Sequence, residues 1–203
     1  MNAAERRRTR ARVAARLLAG APAAAAALDW KALDAAPDWL ALPEPELALL
    51  ARRVGGLVHA ATLRRWIDGG RIGAARDALG AAALRALATA ADPLLLPRDA
   101  CTAQSIDRPA QVAPALQASG REVLLATLPT GPLQQAVGAL WAPATPAAIV
   151  GALAQTLVER AGRLGDAVPA EGTTPAGNAT PAESATPAES ATPAGGAAPA
   201  RRA

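Results

Sequence analysis

His59 and Cys101, the only histidine and the only cysteine of the 203-residue chain, are the side chains best suited to catalysis. Together they could form a thiolate nucleophile and its imidazole base, but the residues around Cys101 match none of the local signatures of cysteine hydrolases. A zinc site needs several imidazole or thiolate ligands, and the chain offers one of each. We therefore expect His59 to be a solvated surface residue and the protein to be a non-enzyme without metal or cofactor.

The glycine-rich segments do not match the loops that bind nucleotides or activate a serine. The Walker, G-x-G-x-x-G and G-x-S-x-G patterns are missing from the sequence. Residues 70–73 have the G-x-x-G spacing of a KH loop, but a KH domain also needs strands, and the flanking sequence shows no β-type alternation. Asp68 and Asp77 lack the ligand spacing of an EF-hand.

The candidate partner-binding residues are two adjacent cations, an aromatic ring and a carboxylate beside a glycine turn: Arg64, Arg65, Trp66 and Asp68. Helical spacing would let Leu63, Trp66 and Ile67 bury on one face while the arginines point to solvent. A guanidinium group pairs with a carboxylate through two parallel hydrogen bonds, so the arginines could recognise an acidic partner. The alternatives are a solvated helix end, or arginines that cap terminal carbonyl groups.

These residues lie in the segment from Glu44 to Asp92, where the helical periodicity is strongest. Apolar residues recur there at steps of three and four, which predicts one face of an amphipathic helix: Leu47, Leu50, Val54, Leu57, Val58 and Ala61. The pair Gly55-Gly56 inside this helix predicts a kink or the close approach of another helix. A turn at residues 68–70, a short helix over 71–79 that ends at Gly80, and another helix ending before Pro93 complete the segment.

Prolines and capping residues divide the second half into further helices. We expect helix starts at Asp107, Thr130 and Thr145, each with a proline in the first turn, and a capping box from Ser119 to Glu122. Residues 92–108 are predicted to connect the two halves. Residues 123–158 carry no charge, but four prolines interrupt them. Buried helices are therefore expected rather than a membrane span, which needs about 20 continuous apolar residues.

The composition favours a helical core. The chain has no tyrosine, no phenylalanine and four tryptophans, so leucine, valine and alanine must build the core, and these residues favour helices over strands. We expect Trp30 and Trp39 to cover this core rather than to anchor a partner. The predicted fold is all-α, a compact multi-helix domain over residues 28–165.

Both ends are expected to lie outside this domain. Residues 1–27 read as a basic, alanine-rich and disordered arm, because residues 1–16 carry six arginines and one glutamate whereas residues 17–170 have no net charge. Arg12 and Arg16 interrupt the apolar stretch that a signal peptide would need. The repeated ATPAES offers no large apolar side chain, so residues 166–203 are predicted to be a disordered tail.

An alternative function is a small helical DNA-binding regulator that uses the arginine-rich arm together with Arg64 and Arg65. A nucleic-acid-binding protein would normally have a basic surface on the domain itself, and here the excess charge is confined to the first 16 residues. The single cysteine excludes an intramolecular disulfide, which suits a reducing compartment.

The sequence from Leu57 to Leu87 resembles the YscK/OrgA-like (SctK) family of type III secretion proteins. The likeness consists of short motifs over about residues 28–165: Leu63-Arg64-Arg65, Ile67-Asp68-Gly69, Leu79-Gly80, Trp39-Leu40 with Pro43, and Gly120 to Leu128 with Pro129. The alanine-rich composition and the missing phenylalanine and tyrosine depart from that family. The resemblance implies a cytoplasmic sorting-platform adaptor at the cytosolic face of the inner membrane. It would link the inner-membrane ring to the pod protein that carries the export ATPase assembly.

Overall fold

The computed structural model describes residues 3–90, 106–141 and 145–166. Over these ranges the chain forms helices and no strand, which confirms the all-α prediction. A short 3₁₀ helix covers Asp38–Ala41, and the α-helices are α1 (Ala3–Gly20), α2 (Pro22–Ala25), α3 (Trp30–Asp34), α4 (Glu44–Val58), α5 (Ala60–Leu63), α6 (Gly69–Leu79), α7 (Ala81–Thr89), α8 (Pro109–Ala126), α9 (Pro132–Leu140) and α10 (Gly151–Asp166).

Helices α4 and α8 form the most extensive helix pair in this part of the chain, and glycines set their separation. A Cβ atom on Gly55 of α4 would overlap the carbonyl oxygen of Leu116 on α8. A Cβ atom on Gly120 of α8 would likewise overlap the carbonyl oxygen of Ala51 on α4. The two backbones therefore touch at two reciprocal points, each provided by a glycine.

The second glycine of the pair faces a different neighbour. A Cβ atom on Gly56 would lie 3.0 Å from Leu87 Cδ1 and 3.2 Å from Leu79 Cδ2, so α6 and α7 approach α4 on this side. The predicted close approach of another helix at Gly55-Gly56 is confirmed. The predicted apolar stripe is confirmed at Leu47 and Val54, which are buried, but Ala61 is exposed because α4 ends at Val58.

Three clusters of buried apolar side chains surround the central pair. The first joins α1, the 3₁₀ helix and α9 to the start of α4 and the end of α8. The second joins α5, α6 and α7 to the first half of α8, and the third packs α10 on the middle of α4 and α8. Fully burying one leucine or valine stabilises the fold by about 1.5–3 kcal/mol, and each cluster contains such residues, among them Leu17, Leu116 and Leu157.

The structure differs from the prediction at the N-terminal arm. Residues 3–20 form helix α1, and its Val13 and Leu17 are fully buried in the first cluster. Arg16 donates hydrogen bonds to the carbonyl oxygens of Leu40, at 2.6 Å, and Leu42, which ties α1 to the end of the 3₁₀ helix. The helical domain therefore begins well before residue 28. The arginines, from which a disordered arm was predicted, occupy only part of the helix surface.

Of the two tryptophans expected to cover the core, Trp39 does so and Trp30 does not. Trp39 is buried and stacks on Trp141, with ring centroids 5.9 Å apart and an angle of 25° between the rings. The guanidinium carbon of Arg121 lies 5.5 Å from the centroid of Trp141, a cation–π contact. Trp30, which was predicted to cover the core, is 71% exposed at the start of α3.

Several predicted helix ends are confirmed and others are wrong. Gly80 ends α6 with φ 88°, a left-handed conformation that glycine adopts without strain, and a helix begins at Pro132 as expected. Ser119 is not a helix cap, because α8 continues through it and buries it. Helix α10 begins at Gly151, later than the predicted start at Thr145.

The start of α8 lies close to its predicted position. The helix begins at Pro109, so its capping residue is Arg108 rather than Asp107. The side-chain oxygen of Gln111 accepts hydrogen bonds from the backbone N–H groups of Asp107 and Arg108, both at 3.0 Å. A glutamine reaching back from the first turn thus satisfies donors before the helix.

None of the helices in the described ranges is both long enough and apolar enough to cross a membrane. The predictions for Cys101, for most of the connector at residues 92–108 and for all but the first residue of the tail at 166–203 lie outside the described residues.

We predict that Gly55→Ala and Gly120→Ala each destabilise the domain by about 1–3 kcal/mol or more, because the added methyl group meets a backbone oxygen that cannot move alone. Gly73→Ala is the matched control. It lies inside α6 with no atom within 4 Å of the added Cβ, so it should stabilise the helix by about 1 kcal/mol. Urea unfolding followed by circular dichroism measures all three, and unchanged stability in both core variants would contradict the close contact.

Candidate partner-binding site

The candidate site occupies the turn between α5 and α6. Helix α5 ends at Leu63, and the backbone then turns, with the N–H of Trp66 donating to the carbonyl oxygen of Leu63 at 3.2 Å. Helix α6 begins at Gly69 after its capping residue Asp68. Arg64, Arg65, Trp66 and Asp68 therefore all lie on the turn itself, next to the second apolar cluster.

Arg64 is engaged within the domain. Its Nε donates to the carbonyl oxygen of Leu87 at 2.9 Å, and its Nη2 donates to that of Ala90 at 2.8 Å. These carbonyl groups lie at the C-terminal end of α7, where no further helical turn supplies N–H donors. The alternative in which an arginine caps terminal carbonyl groups is thus the observed arrangement for Arg64, and the helix it caps is α7 rather than its own.

Arg65 and Ile67 form the exposed part of the turn. The backbone N–H of Arg65 donates to the carbonyl oxygen of Thr62 at 3.1 Å, but its exposed side chain makes no hydrogen bond or ion pair with the rest of the described chain. Ile67 is 96% exposed. The prediction that Ile67 would share a buried face with Leu63 and Trp66 is wrong for Ile67. Leu63 is buried and Trp66 is half-buried, but α5 ends at residue 63, so the helical period that would turn Ile67 inward does not continue.

Asp68 has a structural role as the N-terminal cap of α6. Its carboxylate accepts hydrogen bonds from the backbone N–H groups of Gly70, at 3.0 Å, and Arg71, at 3.3 Å. It also pairs with Arg71 Nε at 3.1 Å, and the Arg71 guanidinium carbon lies 5.4 Å from the centroid of Trp66. The hydrogen bonds from Gly70 and Arg71 lower the pKa of the Asp68 carboxyl.

The chemistry available at this turn is recognition of a partner surface. A guanidinium group at Arg65, an exposed aliphatic side chain at Ile67 and the accessible part of Trp66 lie within three consecutive residues. This combination suits an acidic side chain next to an apolar one on a partner protein, since arginine and tryptophan contribute disproportionately to binding energy at protein interfaces. Ile67 was missed as a surface residue because sequence periodicity cannot show where α5 ends.

His59 makes a polar contact that the sequence did not indicate. It lies between α4 and α5, and its Nε2 is 2.9 Å from the hydroxyl oxygen of Ser119 on α8. Ser119 is 1% exposed whereas His59 is partly exposed, so the contact is a part-buried polar bridge at the α4–α8 junction. Burial lowers the pKa of His59. The prediction of a solvated His59 is therefore wrong in part, because one side of the ring packs against α8.

No pattern in the sequence could have paired these two residues, which are separated by 60 positions. Within the described ranges, no three histidine, cysteine, aspartate or glutamate side chains come together in a group able to hold a metal ion.

Comparison with known proteins returned no matching family model, no matching curated protein and no matching solved structure.

We predict that Asp68→Asn is milder than Asp68→Ala. Asparagine keeps an oxygen for the N–H groups of Gly70 and Arg71, whereas alanine removes the cap. Because the folded pKa of Asp68 lies below its ordinary value of 3.8, its charge stabilises the fold above that pH and the benefit is lost as the pH falls through the folded pKa. Thermal melts should thus show the gap between wild type and Asp68→Asn narrowing as the pH falls below 3.8, and a constant gap would contradict this role.

We predict that His59 lowers stability in mild acid. Its folded pKa lies below 6.5, so the unfolded chain takes up the proton first and stability falls as the pH drops below about 6.5. His59→Gln keeps a group that can hydrogen-bond to Ser119 but cannot be protonated. The melting temperature of His59→Gln minus that of wild type should be larger at pH 5.5 than at pH 8. A difference independent of pH would show that His59 has the same pKa in the folded and unfolded states.

Proposed function

We propose that this protein is a non-enzymatic cytoplasmic adaptor of a type III secretion sorting platform. In this role it links the cytoplasmic domain of the inner-membrane ring to the pod protein that carries the export ATPase assembly. The proposal rests on the resemblance of residues 28–165 to the SctK family. The architecture is compatible with it, since the described residues form one helical unit whose exposed turn offers a recognition surface and whose contact between His59 and Ser119 is a part-buried polar bridge.

The observation that carries the proposal most directly is the position of the motif Leu63-Arg64-Arg65 followed by Ile67-Asp68-Gly69. In the fold these residues have distinct tasks. Leu63 anchors the turn in the second cluster, Arg64 ties it to α7 and Asp68 starts α6. Gly69 is the first residue of α6, and the side chains of Arg65 and Ile67 are held outward on this fixed turn. A rigid support with two free side chains is the arrangement that a partner-binding turn requires.

The first experiment is affinity capture of the full-length chain from its native host, with the captured proteins identified by mass spectrometry. The proposal requires that the ring component and the pod protein be captured together with the chain. Their absence, while other proteins are captured reproducibly, would contradict the adaptor function.

The second experiment tests the turn. We predict that Arg65→Glu weakens binding to the captured partner at least ~10-fold, about 1.4 kcal/mol, because a carboxylate replaces a cation facing an acidic surface. Arg85→Glu is the matched control, since Arg85 is an exposed arginine on α7 and undergoes the same change of charge. Arg64 is unsuitable for this test because its loss removes the cap of α7. Intact binding by folded Arg65→Glu would exclude this turn and leave the family-level proposal to the capture experiment.

A further inference from the structure

The N-terminal helix α1 carries more positive charge than the domain neutralises. Arg10 forms an ion pair with Asp34, and Arg16 donates to two carbonyl oxygens and faces Glu44 at 3.9 Å. The side chains of the other four arginines of this helix are exposed and make no hydrogen bond or ion pair within the described residues: Arg6, Arg7, Arg8 and Arg12. Since residues 17–170 have no net charge, this helix is the basic feature of the molecule.

An apolar groove lies beside these arginines. It has a volume of about 250 Å³ and runs between α1 and the segment from α2 to α3, with Leu17, Leu28 and Leu33 among its lining residues. Leu18, 57% exposed, and Trp30, 71% exposed, also line it. Only two other large apolar side chains of the described residues, Ile67 and Val150, are comparably exposed. Two of these four exposed apolar side chains therefore lie together at this groove.

The basic and apolar features share one surface of α1. Arg7, Ala11, Ala14 and Leu18 follow one another at steps of four, three and four, which places them along one side of the helix. Ala14 and Leu18 belong to the groove, so Arg7 lies on the line that leads to it. Arg8 and Arg12 are also exposed and lie about 100° further round the helix. The opposite side is the one that buries Val13 and Leu17 in the core.

We propose that α1 and Trp30 form a peripheral docking surface for an anionic lipid bilayer. The exposed arginines would meet the lipid phosphates, and Leu18 and Trp30 would enter the boundary between headgroups and acyl chains. Exposed apolar side chains beside cations bind in this way, since the apolar groups enter the interface while the cations attract anionic lipid, and tryptophan is enriched at this depth of a bilayer. The proposal stands on α1, the groove and Trp30, and does not depend on the adaptor function.

The apolar part of this surface favours lipid over nucleic acid. A duplex backbone is bound by cations and polar donors, and such binding would need neither the exposed Leu18 nor Trp30. A bilayer uses both parts, because charge attracts the protein to the surface and apolar burial retains it there. The remainder of the domain, residues 17–170, also carries no net charge to attract a nucleic-acid strand.

The test uses the purified full-length chain and two kinds of vesicle, phosphatidylcholine alone and phosphatidylcholine mixed with phosphatidylglycerol. Sedimentation with the vesicles measures the partition coefficient. The wild-type chain should bind the anionic vesicles and not the neutral ones. Each basic residue near an anionic surface contributes about fivefold, so Arg7→Gln with Arg12→Gln should lower the partition coefficient about 25-fold. Arg76→Gln with Arg85→Gln removes the same charge from exposed sites on α6 and α7 and should leave binding nearly unchanged.

Trp30→Ser separates lipid from nucleic acid because it leaves the charge unchanged. The partition coefficient of Trp30→Ser should fall at least ~10-fold. Brominated acyl chains should quench part of the tryptophan fluorescence of the wild-type chain, and this quenching should be lost in Trp30→Phe, which lacks the exposed indole. Circular dichroism and melting temperature show that each variant is folded. Equal binding to both kinds of vesicle, or vesicle binding unaffected by Trp30→Ser, would overturn the proposal. Duplex DNA binding that depends on Arg7 and Arg12 but not on Trp30, without vesicle binding, would assign the surface to nucleic acid.

Discussion

The direct contact between the backbones of α4 and α8 is the constraint on which the rest of the fold depends. Gly55 and Gly120 remove the side-chain layer that normally separates two helices, so each helix presents its backbone to the other. All three apolar clusters contain residues of α8 and are arranged around this contact. A larger separation would move α8 relative to α6 and α10 together, so the cost of a methyl group at either glycine is not confined to one contact. The same closeness brings His59 within hydrogen-bond distance of Ser119.

The features of the fold that could be predicted from the sequence are those that neighbouring residues determine. The helical character, the end of α6 at Gly80 and the close approach at Gly55-Gly56 follow from nearby residues and were predicted correctly. The partner of Gly55 could not be predicted, because Leu116 lies on a helix more than 50 positions away. The spacing of Ser119 and Glu122 suggested a helix cap, but the same spacing fits a continuous helix, and only the covering by α4 explains the buried serine.

The candidate site shows the same limit in a different form. The four residues selected from the sequence do lie together on one turn, but their roles differ for reasons that depend on tertiary structure. Arg64 is occupied because the end of α7 lies within its reach, and no feature of residues 57–70 reports that. The burial of α1 was missed for a related reason, since two core residues among six arginines resemble a solvated segment until a neighbouring surface receives them.

The stack of Trp39 on Trp141 has a spectroscopic consequence. The two indoles are separated by 102 positions in the chain but by only 5.9 Å between ring centroids, so their intense transitions couple and should produce an exciton couplet in the far-ultraviolet region. Such a couplet exists only when the segment before α4 and the end of α9 have closed on each other. Trp30 and Trp66 lie outside this pair, one exposed and one half-buried. The protein therefore carries an intrinsic optical reporter of a long-range closure, distinct from the emission of the exposed Trp30.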